Sequence, residues 1–358
     1  MEPCSSRDID FTLFNHFDQT LNEYQRCLII HIHKLKIMIK NTFLYTMLFI
    51  ASLVFVGCSD DTEDEDPTPT VTSNTIVDIA GGEDFTTLAA ALERADLIST
   101  LEGEGPFTVF APTNDAFDSL LLELNIGGLD EVSDDVLKEI LLNHVVSGKV
   151  MSTDLEAGYV STLASGAQET NASLLVDLTS GVRLNNRAAV TSPDVAADNG
   201  VIHVIDKVLL VPNVVDAALA NPSFSILVAA LTDERLVDVD FVGTLSGTGP
   251  FTVFAPTDEA FVALLETNDD WNGLADIPAA TLEAVLKYHV IAGDNITSSE
   301  ITDGATPTTF EGNTITINTT NGVVITDKGG NESTVLIPDV QTSNGVIHAI
   351  SNVLLPIE

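Results

Sequence analysis

GPFTVFAPTNDAF occupies Gly105 to Phe117, and GPFTVFAPTDEAF occupies Gly249 to Phe261. The first nine residues are identical, and then Asn-Asp gives way to Asp-Glu. FTVFAP alternates like a short strand and stops at a proline, which has no N–H to offer a longer ladder. Thr113 and Thr257 then stand where a helix N-cap is needed, and Asp115 falls in the positively polarised first turn. Phe117, Leu120, Leu121 and Leu124 follow at i, i+3, i+4 and i+7, the spacing of one helix face. A strand that ends and a helix that begins, written twice, specify two equivalent cores.

The repetition extends outward from this stretch. LLNHVVSGKV (141–150) returns as LKYHVIAGDN (286–295), and NGVIHVIDKVLLVP (199–212) returns as NGVIHAISNVLLP (344–356). Residues 75–212 and 213–358 therefore read as two tandem domains, since solenoid repeats have periods of roughly 20–50 residues. FTTLAAALERAD (85–96) places Phe85, Leu88, Ala89 and Leu92 on one helical face. Ser133 precedes Asp134 and Asp135 as a further cap, and Pro278 takes the early-helix position in the second copy. From residue 159 the period falls to two. SLLVDLT (173–179), GVRLN (181–185) and AAVTS (188–192) read as strands. NTITINTT (313–320) and NGVVIT (321–326) do the same in the second copy, with Asn321-Gly322 as a hairpin turn. VIHVIDKVLLV is apolar on both faces, the pattern of a central strand covered on both sides. Helices first and strands afterwards give an α+β class.

These blocks resemble a known family. FTVFAPTNDAF is similar to the first signature block of fasciclin domains, NGVIHVIDKVLL to the second, and the NHVV and YHVI segments to the block between them. The resemblance covers residues 75–358, twice over. It implies a β-sandwich or wedge of about seven strands with several packed helices in each domain. It also implies a role in extracellular adhesion, with protein or polysaccharide as partner. In some animal members a Tyr-His pair contacts integrins. Tyr288-His289 matches that pair, whereas the first copy carries Asn143-His144, so these four residues are the candidate partner-binding positions.

The N-terminal region reads as an address. TFLYTMLFIASLVFV (42–56) is uncharged and mostly apolar, follows Lys34, Lys36 and Lys40, and ends at Gly57-Cys58. A positive flank, a short apolar run and a small residue before cysteine describe a secretory signal. A membrane-spanning helix needs about 20 apolar residues, so the run is short for one. Phe55-Val56-Gly57-Cys58 resembles a bacterial lipobox, with Phe55 where leucine is usual. That resemblance implies lipidation of Cys58 and a surface lipoprotein held at the outer membrane, facing the cell surface or the periplasm, with the lipid as its only membrane contact. On this reading 1–37 is an over-extended start, 38–57 the signal peptide, and 58–74 a lipidated cysteine with an acidic, disordered tether. SDDTEDEDPTPTVTSN (59–74) is either a spacer or an export signal for the outer surface.

Charge and missing motifs exclude several functions. The chain carries 14 Lys and Arg against 53 Asp and Glu, for a formal charge of −39. Such a surface repels phosphate backbones, so nucleic acid is not a partner. Cys58 is the one cysteine after residue 57, which leaves no disulfide, zinc thiolate site or cysteine nucleophile beyond it. The sequence holds no GxSxG elbow, P-loop or GxGxxG, and no enzyme, cofactor or metal is expected. The four histidines beyond residue 58 pair off as His144 with His289 and His203 with His348. Leu137, Ile140, Leu141 and His144 share a helix face, and His203 sits in the doubly covered strand, so a buried, hydrogen-bonded role is expected. Thr113, Asp115, Thr257, His203 and His348 are thus structural positions. The function expected is non-enzymatic surface adhesion or binding of extracellular polymer. The alternatives are a polysaccharide capture or processing accessory and a structural envelope or biofilm component.

Overall fold

A computed structural model describes residues 74–356 apart from Glu104 and Asn321. The signal peptide, Cys58 and nearly all of the acidic tether lie outside the described residues.

The first domain begins with three short helices, α1 (Ile76–Ala80), α2 (Thr86–Arg94) and α3 (Ile98–Leu101). Strand β1 (Phe107–Pro112) follows, then α4 (Asn114–Leu124) and α5 (Asp134–Leu142). The strand-rich half comprises β2 (Val145–Ser147), β3 (Gly158–Ser165), β4 (Asn171–Asp177), β5 (Arg183–Leu184), β6 (Ala188–Ala197) and β7 (Gly200–Ile205). The second domain repeats this with α6 (Val214–Ala220), α7 (Ser225–Leu231), α8 (Phe241–Leu245), β8 (Phe251–Pro256), α9 (Asp258–Leu265) and α10 (Ala279–Tyr288). It closes with β9 (Val290–Ala292), β10 (Thr316–Asn318), β11 (Val324–Thr326), β12 (Glu332–Thr342) and β13 (Gly345–Ile350).

The first sheet has seven strands in the order β2-β1-β7-β6-β5-β4-β3, and its two edge strands approach each other, so the sheet curls into a wedge. β1 comes from the helical half of the chain yet pairs in parallel with β7, Phe110 opposite His203. The α+β class stands, with a mixed sheet. Gly200 permits this close pairing, because a Cβ there would collide with the Phe107 carbonyl oxygen. The β1–β7 pair is covered on both faces, as its composition predicts. Val109, Ala111 and Ile202 face a core built from the helices, and Phe110 and Ile205 face a smaller core inside the wedge with Leu174 and Leu184.

The second sheet has six strands, β10-β11-β12-β13-β8-β9, one fewer than the first. The counterpart of β3 would span 303–310. That segment carries two turn-forming glycine and proline positions and keeps only the isolated bridges Ala305 to Ile317 and Thr308 to Thr314.

The repeated sentence works as read. Thr113 Oγ1 accepts from the Ala116 N–H at 3.3 Å, and Thr257 Oγ1 from the Ala260 N–H at 3.4 Å. The next residue adds a tie that the sequence did not reveal. Asn114 Oδ1 accepts from the Thr87 N–H at 2.9 Å, and Asp258 Oδ1 from the Ile226 N–H at 2.8 Å. Each thereby clamps the start of α4 or α9 to the start of an earlier helix. Two helix-face assignments change. Ala91 rather than Ala89 is buried in α2, and Leu124 is exposed at the end of α4, where Asn125 turns left-handed and the chain leaves the core.

Candidate functional site

The four candidate partner-binding residues lie at the C-terminal ends of α5 and α10, where each chain turns from the helical core into β2 or β9. All four are buried: Asn143, His144 and His289 at 0–3% exposure and Tyr288 at 0%. The expected surface edge at Tyr288 is therefore not there. Its ring packs inside the second wedge with Phe254, Ile315 and Ile325. Its hydroxyl donates to the Thr314 carbonyl at 2.8 Å and accepts from the Lys328 N–H at 3.1 Å. Burial raises its phenol above the ordinary value. Asn143, at the equivalent position, donates to the Leu209 and Leu210 carbonyls and accepts from Thr162 Oγ1 at 3.2 Å. Asparagine and tyrosine are thus two solutions to one task, bracing the turn from inside. Tyr288→Phe is expected to lower the second domain's stability by about 1–2 kcal/mol, because the hydroxyl's two part-buried hydrogen bonds are lost. Thermal unfolding reads this, and partner binding is expected to stay unchanged.

The histidines are equally committed. The Leu209 N–H donates to His144 Nε2 at 2.9 Å, so Nδ1 carries the proton and donates to the Ile140 carbonyl at 2.7 Å. His289 repeats this with the Leu354 N–H at 2.9 Å and the Val285 carbonyl at 2.7 Å. Burial pushes both imidazoles down to about 4, so they are neutral. His203 and His348 take the opposite tautomer. Nδ1 accepts from the Asp194 or Asp339 N–H at 3.2 Å, and Nε2 donates to the Val150 or Ile296 carbonyl. Their rings stack on Phe110 and Phe254 with centroids 5.6 Å apart. With both nitrogens of every ring engaged, no lone pair remains to ligate a metal or accept a substrate proton.

Around each of these strand histidines lies a serine and an aspartate that sequence reading passed over. Asp194 and Asp339 sit in left-handed bulges, with φ of 62° and 59°. Each accepts from the backbone N–H and hydroxyl of a serine, Ser152 or Ser298. Hydrogen bonding to that serine holds the Asp194 carboxyl below its usual range. The arrangement is not a nucleophilic triad, because the serine bonds to the carboxylate and the imidazole bonds to backbone. The repeated Pro-Asp-Val at 193–195 and 338–340 was the signal that could have revealed it. Among the described residues no cluster of three or more metal-ligating side chains occurs. Thr113 and Thr257 cap helices, and Asp115 lies exposed in the first turn of α4.

The two domains also meet each other. The Gln341 N–H donates to Ser173 Oγ at 3.0 Å, and Thr170 Oγ1 donates to Gln341 Oε1 at 2.8 Å. Asn221 Nδ2 donates to Tyr159 Oη at 2.9 Å, and the Tyr159 ring lies against the second helical core. The Ser343 N–H donates to the Pro212 carbonyl at 2.8 Å.

The chain is similar in sequence to several known proteins. The profile of the Fasciclin domain matches residues 83–212 and 222–356. Protein sll1483 of Synechocystis is 47% identical over 139 residues, covering 38% of this chain and 74% of that protein. Human periostin is 33% identical over 285 residues, which is 76% of this chain and 31% of periostin. The chain thus spans under a third of periostin's length. A solved FAS1 domain pair from the insect cell adhesion molecule Fasciclin I is 21% identical, with a TM-score of 0.43 over 78% of this chain and 94% of that one.

Proposed function

Because the chain belongs to the fasciclin-domain family, with two such domains in tandem, we propose that it is a non-enzymatic adhesion protein of the cell exterior, binding extracellular protein or polysaccharide. The observation that carries this reading is the division of labour between interior and surface. The residues shared by the two copies (caps, histidines, aspartates, phenylalanines) are engaged in holding each fold. What faces outward is a hydrogen-bonded pair of domains with an acidic surface, suited to displaying contact area. Anchoring through a lipidated Cys58, with 59–74 as a tether at the outer membrane, is part of the same proposal and follows from the lipobox-like Phe55-Val56-Gly57-Cys58.

The test is attachment. A deletion strain is expected to lose adherence to polymer-coated surfaces and to regain it with the wild-type gene. A Cys58→Ser gene is expected to fail, with the protein released into the medium. Beads coated with the purified chain are expected to adhere as well. Release of sugars from the polymer by the purified chain would overturn the non-enzymatic reading.

A further inference from the structure

The seam between the domains is closed in one place and open in another. Asn295 and Gln341 are buried beside Ala167 and Thr170 of the first domain, at 2% and 5% exposure. Where the linker enters the second domain, a cleft of about 360 Å³ stays open, a volume in the range of small-ligand sites. The first domain contributes Asn186 and Arg187 from the turn between β5 and β6, the linker Leu210, and the second domain Asp216 and Leu219 from α6. Leu210 is half-buried and the other four are exposed, Leu219 at 55%.

Charge beside the cleft is unbalanced. Arg187 and Lys207 both pair with Glu123, Lys207 Nζ at 3.4 Å from its carboxylate, so two cations share one anion. Among the described residues only Nη2 of Arg187 has an acceptor, which leaves Nε and Nη1 to donate. The internal repeat shows that the fold does not demand these residues. Glu332 stands where the first domain has Arg187, Asn352 where it has Lys207, and Gly81 where the second domain has Leu219. Asp216 serves the fold as well: one of its oxygens accepts from the Asn213 N–H at 3.3 Å in a capping box that recurs at Asp78. The cleft thus offers a guanidinium edge for a carboxylate, a carboxylate for a cation, and an exposed leucine for an aliphatic side chain. A peptide carries all three on a short backbone, whereas a sugar unit brings no aliphatic side chain. A chain of charge −39 also repels a polyanion, so the carboxylate it takes is one balanced by a cation.

We propose that this cleft binds a peptide segment of an extracellular protein that presents an acidic, an aliphatic and a basic side chain together, with the acid on Arg187, the aliphatic group on Leu210 and Leu219, and the base on Asp216. The proposal rests on the adhesion reading and narrows its partner to protein. It makes the tandem arrangement part of the site, since Arg187 and Leu219 belong to different domains.

Titration calorimetry of the full chain with end-blocked peptides that carry Glu, Leu and Lys in every order within a Gly-Ser frame tests it. At least one order is expected to bind, and the same peptide with Gln for Glu is expected to bind at least about tenfold more weakly, because the guanidinium loses its partner. Arg187→Glu, which installs the residue of the second domain, is expected to weaken binding by at least about the same factor, and Leu219→Ala to weaken it severalfold. Lys149→Glu changes the net charge equally at the far end of β1 from Lys207 and is expected to bind like wild type. All three positions are exposed, so unfolding midpoints are expected to stay within a few degrees of wild type. Binding by none of the orders, either cleft variant binding like wild type, or an equal loss with Lys149→Glu overturns the proposal. The bead assay separates the two readings. Beads that adhere although no peptide binds leave adhesion standing and sink the cleft, and beads that do not adhere sink the adhesion reading whatever the peptides do.

Discussion

Phe117→Ala is expected to destabilise the first domain by about 3–5 kcal/mol, and Phe261→Ala the second by the same amount. Each ring is at most 1% exposed and sits in the helical core of its own domain, with Leu120 and Leu137 around Phe117 and Leu264 and Leu282 around Phe261. Removing it forfeits the transfer energy of an aromatic side chain and leaves a cavity that neighbouring helices fill only in part. The loss is a large share of a domain's typical 5–15 kcal/mol, so each variant populates a state with one domain unfolded. Denaturant titration is expected to resolve two transitions in either single variant, with opposite assignment. Leu122→Ala provides the control, since that side chain is 81% exposed and its removal is expected to cost within about 0.5 kcal/mol. A loss below about 1 kcal/mol for Phe117→Ala would contradict the core assignment.

The second large effect is acid sensitivity that begins well above the carboxylate range. His144 and His289 are held down to about 4 by burial, against an ordinary histidine value of 6.5. As pH falls below 6.5 the unfolded chain takes up these protons and the folded chain does not, so stability drops. The loss is complete near pH 4 and amounts to roughly 3 kcal/mol per histidine. His348 shifts in the same direction, also by burial. Two further influences act at lower pH. Protonation of the acidic surface relieves self-repulsion and stabilises the fold. Asp194, whose carboxyl is lowered by its serine, loses its contribution as pH falls through and below 3.8. Between pH 6.5 and 5 few carboxylates titrate, so the histidines decide the sign. Unfolding midpoints measured at pH 7.5 and 5.0 at fixed ionic strength are expected to fall with pH in both domains. Equal midpoints would sink the claim that these rings are buried and neutral.

Much of this was legible because local chemistry repeats at a fixed offset. Proline after FTVFA, threonine after proline and phenylalanine four residues later read as strand end, cap and core anchor, and they are. His144 and His289 read as interior from the spacing of Leu137, Ile140 and Leu141, and they are. Tyr288 did not, although it neighbours His289. Helical spacing identifies one buried face, but the last turn of α10 passes between two cores, the helical one and the wedge, so two sides of it are covered. A hydroxyl at that point reads as a surface handle until Thr314 and Lys328 are seen to enclose it. The second sheet lacks a counterpart of β3 because 303–310 carries Gly304 and Pro307 and pairs only at two bridges.

The sequence by itself determined the duplication, the α+β class, the helix starts and the interior place of the histidines, because each rests on contacts within a few residues or on a period that a buried face imposes. Only the tertiary structure decided the parallel pairing of β1 with β7, the serine–aspartate–histidine braces, the burial of Tyr288 and the amide-lined seam between the domains. Those depend on groups far apart in the chain. Asn295 and Gln341 look like surface residues until a second domain, more than a hundred residues away in sequence, excludes water from them.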